Sequence, residues 1–156
     1  MPTRTGALVS VESVLLACEE RVQRAAPAGY GRRVSGEHVV RDLYERYQAR
    51  DWEAATALLH PEARLRMPAT DEQLTGREQL IAFQRDYPEP WGDLRVLRAV
   101  GASSTCAAEV EIVSEAAVFR CAAFWTVRDG LLHDGVEYWV TVGGDRPPEH
   151  RVAAPG

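Results

Sequence analysis

Apolar residues recur at Val11, Val14, Leu15, Cys18 and Val22, with Ser10 in the N-cap position. That spacing predicts an amphipathic helix over residues 11–24. Pro27-Ala-Gly-Tyr-Gly-Arg-Arg33 then reads as a linker. From Ser35, also in an N-cap position, a new helical stripe runs through Val39, Val40, Leu43, Tyr44 and Tyr47. Asp51 restarts a shorter helix with Trp52, Ala55, Leu58 and Leu59 inward, ending before Pro61. Residues 63–67 alternate as a short strand that Pro68 halts. Thr75-Gly-Arg-Glu78 has the form of a capping box. It opens a helix carrying Leu80, Ile81, Phe83 and Tyr87, which Pro88 and Pro90 end.

The remainder is β: about 93–101, 105–114, 117–128 and 131–142. The order of elements predicts an α+β fold, one curved antiparallel sheet covered by three helices with a pocket between them. Residues 1–34 form an N-terminal extension, 35–142 the main domain and 143–156 a polar, Pro-rich tail.

Asp129-Gly130 predicts a two-residue hairpin turn. Continued without interruption, it pairs His133 with Thr126, Glu137 with Ala122 and Trp139 with Arg120. Side chains alternate, so the two strands sort into two faces. Val118, Arg120, Ala122, Phe124, Thr126, His133, Gly135, Glu137, Trp139 and Thr141 share one. Phe119, Cys121, Ala123, Trp125, Val127, Leu132, Val136, Tyr138 and Val140 share the other, which is nearly all apolar. A turn at Glu115-Ala116 places Glu111 opposite Arg120. Glu109, Glu111, Arg120 and Glu137 then converge on one face, with Trp139 beside them. Two readings stay open. The mixed face is a solvated ion-pair ladder, or it is concave and forms the polar floor of a cavity. In the second reading the apolar face is the dimer interface.

Composition narrows the function. The 156 residues carry a net charge of −5, and every one of the 18 basic residues is Arg. Without lysine there is no Schiff-base chemistry and no Walker-type phosphate loop. The acidic balance argues against nucleic acid, and no apolar run approaches a membrane span. Three cysteines, Cys18, Cys106 and Cys121, with no CxxC spacing, read as reduced thiols in a cytoplasmic protein. His38, His60, His133 and His150 lack ligand spacing, so no metal or other cofactor is expected.

Several motifs in order carry a resemblance: Tyr47-Gln-Ala-Arg-Asp-Trp52, Ala57-Leu-Leu-His-Pro-Glu-Ala63, Thr75-Gly-Arg-Glu78, Val127-Arg-Asp-Gly-Leu131 and Val136-Glu-Tyr-Trp139. Over residues 36–142 the chain resembles SnoaL-like proteins of the nuclear transport factor 2-like superfamily. The resemblance implies a cone-shaped curved sheet, helices on its concave face, a pocket between, and homodimers through the convex face. That superfamily includes ketosteroid isomerases, limonene epoxide hydrolase, polyketide cyclases and non-catalytic binding modules. The isomerase's general-base Asp falls at Met67 and its first-helix Tyr at Leu43, beside Tyr44 and Tyr47, so isomerisation with that base is not expected. The epoxide hydrolase's acid positions fall at Glu137 and at Glu109-Val-Glu111, with Arg120 reaching in from the next strand.

The catalytic candidates are therefore Glu137, Glu111 and Arg120, a pair of carboxylates around one cation for acid–base work. Trp139, Phe124, Glu109, Tyr44, Tyr47 and His133 are the candidates for contact with a small hydrophobic or polyketide-like substrate. The expected activity is cofactor-free cyclisation, dehydration, isomerisation or epoxide opening. The alternative is a module that binds a small ligand or only dimerises.

Overall fold

A computed structural model describes residues 35–87 and 91–146. The helix expected at 11–24 and the end of the tail lie outside the described residues. In helix α1 (Gly36–Ala49) the stripe Val39, Val40, Leu43, Tyr44 and Tyr47 is buried throughout, as its spacing predicts. Helix α2 (Trp52–Ala57) is capped by Asp51, whose Oδ1 accepts the Ala54 N–H at 3.2 Å.

Strand β1 (Leu59–Met67) begins before the alternating stretch, because Leu59 pairs with Leu132. Pro61 is tolerated there, where the register is irregular between Leu59 and Arg64. A short edge strand, β2 (Glu72–Thr75), escapes the sequence pattern: only Leu74 of its four residues is buried. Helix α3 (Arg77–Arg85) starts without the expected capping box. Gln79 Oε1 accepts the Thr75 N–H at 2.7 Å, while Glu78 turns to Arg77.

Strands β3 (Asp93–Gly101), β4 (Thr105–Val113), β5 (Val118–Arg128) and β6 (Leu131–Thr141) follow. The sheet order is β2-β1-β6-β5-β4-β3. β1 and β6 run parallel, so the curved, unclosed sheet is mixed rather than wholly antiparallel. α1 packs on β3 and β4 and α3 on β1, which gives an α+β fold with the core between helices and sheet. No helix among the described residues is long and apolar enough to cross a membrane.

The β4–β5 register is the expected one, with Glu111 opposite Arg120. Glu115 and Ala116 are poor turn formers, and Ser114 compensates: its backbone N–H and its hydroxyl both bond to the Ala117 carbonyl, at 3.0 and 2.9 Å. At the next hairpin Asp129 and Gly130 both take positive φ, 54° and 77°, as a tight turn between twisted strands requires.

Beyond that turn the expected register fails. Val127 pairs with Leu132, but Trp125 pairs with Gly135. One residue of β5, Thr126, thus faces two of β6, His133 and Asp134, a β-bulge closed by Asp134 N–H to Thr126 Oγ1 at 3.1 Å. An extra residue inverts the alternation of everything after it. Glu137 therefore pairs with Ala123 and Trp139 with Cys121. Gly135, Glu137 and Trp139 join Cys121, Ala123 and Trp125 on the inner face, while Val136, Tyr138 and Val140 turn outward with Arg120, Ala122 and Phe124.

Gly135 is needed where Trp125 crosses β6. A Cβ there would stand 2.7 Å from three atoms of the Trp125 ring. Gly135→Ala is expected to cost about 1–3 kcal/mol through overpacking, read as a lower urea midpoint. An unchanged midpoint would show that the ring has room to move.

Candidate functional site

Between the helices and the inner face lies a cavity of about 750 Å³. Tyr44 and Tyr47 reach it from α1, Phe83 from α3, Met67 from β1, Leu94 from β3, Ile112 from β4, Phe119 from β5, and Glu137 and Trp139 from β6. Trp91, just before β3, closes part of the wall. Its ring stacks near Tyr47 and Trp52, with centroids 6.4 and 6.3 Å away, and the Arg50 guanidinium lies 4.1 Å from its centroid. That cation–aromatic contact holds the corner where α1 ends.

Glu137 is the one buried charged residue among the described residues, 2% exposed. Its carboxylate is held at both oxygens. Tyr44 donates its hydroxyl to Oε1 at 2.6 Å, and Trp139 donates its indole N–H to Oε2 at 2.8 Å. Tyr44 in turn accepts a long bond, 3.4 Å, from Trp125 Nε1. Burial pushes the Glu137 carboxyl above its ordinary value, and the two donors pull it part of the way back. Burial first, and then the neighbouring Glu137, raise the Tyr44 phenol well above its usual value. Tyr44 thus stays protonated as a donor, and Glu137 is the more readily titrated of the two.

The structure brings Glu137, Trp139, Tyr44 and Tyr47 to one cavity, and it separates them from the other candidates. Glu111, Arg120 and Glu109 lie on the outer face, because the bulge turned Glu137 away from them. There Arg120 meets Glu111 at 2.7 Å and Glu109 at 3.1 Å, and Arg98 meets Glu109 at 2.9 Å. This is the solvated ion-pair ladder, with the Arg120 side chain 40% exposed. Phe124 is also on the outer face, 53% exposed, and so lines no cavity wall. His133 sits in the bulge at the hairpin end. It bonds Asp134 at 2.6 Å and stands near His60 and Glu62. Those three side chains are close enough to share a cation, but Arg128 already occupies the place, 3.2 Å from Glu62 and 3.4 Å from His133.

The model of the SnoaL-like domain family matches residues 40–135, more than half of the chain. The chain belongs to the SnoaL-like family. Among solved structures it is similar to a protein of Kribbella flavida provisionally assigned as a ketosteroid isomerase. That match has 28% identity, a TM-score of 0.68, and covers 77% of this chain and 89% of that one. An NTF2-like protein of unknown function from Burkholderia xenovorans shares 18% identity over 76% of this chain and 94% of its own, at a TM-score of 0.63. An epoxide hydrolase of M. tuberculosis, of the limonene epoxide hydrolase type, shares 14% identity over 67% of this chain and 81% of its own, at 0.57. The last two show the fold alone. No curated protein matches the chain.

Sequence reasoning missed Trp125 as the donor behind Tyr44 and Trp91 as a cavity wall. Nothing local marks either: Trp125, on an apolar strand face, reads as core, and Trp91 falls between the prolines that end the helical pattern and the next strand. Met67, the position to which the resemblance assigned the isomerase base, lines the cavity, and the buried carboxylate among the described lining residues is Glu137 on β6.

The raised Glu137 carboxyl has a consequence for stability. A group that holds its proton more tightly in the folded state favours folding below its unfolded value, here 4.5, and loses that contribution as pH rises through its folded value. The native chain should therefore lose stability relative to Glu137→Gln as pH is raised from about 4 into the neutral range. Urea unfolding of both proteins at stepped pH measures it, and a difference that stays flat would count against a raised carboxyl.

Proposed function

We propose that the cavity is the active site of an enzyme that moves a proton on a small hydrophobic or polyketide-like molecule, with Glu137 as the acid–base group. The supporting observation is a buried carboxylate, fixed at both oxygens, on the wall of an apolar cavity. As carboxylate it takes a proton from a carbon or hydroxyl of the substrate, and as carboxylic acid it returns that proton to another atom. Tyr44 positions it and keeps a hydrogen bond on the charged form. The reactions that fit are isomerisation, cyclisation and dehydration. Epoxide opening fits less well: it needs a second acid and a cation around one water, and Glu111 and Arg120 face the other way.

A positioned acid–base group contributes roughly 10²–10⁴ in rate. The test is exchange of solvent deuterium into enones, hydroxy-ketones and polyketide fragments that bind. Glu137→Gln should slow exchange by about a hundredfold or more, while Arg120→Leu and Glu111→Gln should leave it within about twofold of the native rate. Tyr44→Phe should shift the acid limb of the rate profile upward, since it removes a hydrogen bond that favours the carboxylate. Ligands that bind with no exchange would support the alternative, a SnoaL-like binding module without chemistry.

The outer face supports a homodimer. Phe124, Tyr138 and Val140 are 48–55% exposed on adjacent strands, and Phe124 and Tyr138 stand edge to face at 6.4 Å. Light scattering should give twice the chain mass, and Tyr138→Asp should reduce it to one. A monomeric native protein would refute this. Cys106 and Cys121 are free thiols, which fits a reducing cytoplasm.

A further inference from the structure

The cavity carries a pattern of charge that its apolar walls do not explain. Three of its lining residues are carboxylates: Glu137 at its buried wall, and Glu72 and Glu115, which are exposed and so stand at its mouth. Seven more are aromatic. Although the sequence holds 18 Arg, no Arg or His is among the described lining residues. Arg50, beside the cavity, already lies over the Trp91 ring. The outer face shows the contrast, because there every described glutamate of the ladder is matched to an arginine.

A ligand carboxylate or phosphate entering this space would leave water for a site whose described lining holds acids and no matching cation. An ammonium group would meet carboxylates at the mouth and the negative faces of aromatic rings within. We propose that the cavity takes an organic ammonium ion with an apolar body, and that Glu72 and Glu115 at the mouth set the sign of charge it admits. The inference rests on the cavity being a small-molecule site and narrows which molecules enter it.

Three naphthalene probes of similar shape test it: naphthylethylamine, naphthylethanol and naphthylacetate, each titrated into the full chain at neutral pH and low salt by calorimetry. The amine should bind tightest, roughly tenfold over the alcohol, with the carboxylate weakest. The double variant Glu72→Gln, Glu115→Gln changes two exposed side chains. It should narrow the amine-to-carboxylate ratio about tenfold, while alcohol binding stays the same. Native protein that binds naphthylacetate as tightly as the amine would overturn the proposal. So would a ratio that the double variant leaves unchanged. If the alcohol binds but shows no preference against either charge, the cavity remains a small-molecule site and only the charge selectivity falls. If none of the three binds, the small-molecule reading itself fails and the selectivity falls with it.

Discussion

A carboxylate taken out of water must be met by donors, and much of this fold serves to supply them to Glu137. The effective penalty for a buried ion is several kcal/mol, and hydrogen bonds to a charged group return roughly 1.5–3 kcal/mol each. Two such bonds, from Tyr44 and Trp139, offset much of it. The remainder appears as a carboxyl that holds its proton more tightly than usual. The donors come from different places. Tyr44 is fixed by the helical stripe of α1, Trp139 by the strand two residues on, and Trp125 steadies Tyr44 from β5 because Gly135 leaves space for its ring.

The same residue types do different work on the two faces of one sheet. Outside, Glu109, Glu111, Arg98 and Arg120 form a cross-strand ladder in high dielectric, where each pair contributes about 0–1 kcal/mol. Inside, Glu137, with no basic partner among the described residues, holds its proton more tightly than an ordinary carboxyl. Burial decides between these outcomes, and the bulge at His133 and Asp134 decides burial. Had the strands continued in simple register, Glu137 would have joined the ladder, and Val136 and Tyr138 would have filled the inner face.

The cavity itself depends on a mismatch of shapes. Among the described residues six strands curve, three helices cover only part of the concave side, and the aromatic group of Tyr47, Trp52 and Trp91 braces the open corner rather than filling it. Aromatic rings and acids make up much of its described lining, and the proposed charge selectivity rests on that composition.

Much of this is local in origin and therefore legible in the sequence. The stripe of α1, the Asp51 cap, the Asp129-Gly130 turn, the four long strands and the pairing of Glu111 with Arg120 all follow from spacing and turn chemistry within a few residues. Spacing and the family resemblance also single out Glu137 and Tyr44, but Glu137 through an uninterrupted register that the bulge overturns, and neither says that the two meet. Strand alternation has a parity, and a single extra residue reverses it without changing any side chain's own preference. Leu132-His-Asp-Gly135 carries no signal that two of its residues must face one. The parallel pairing of β1 with β6 is hidden in the same way, since its partners lie some seventy positions apart. Only the packed structure settles these points. The face of β6 that turns inward is set by a tyrosine 93 residues earlier and by the room a tryptophan needs.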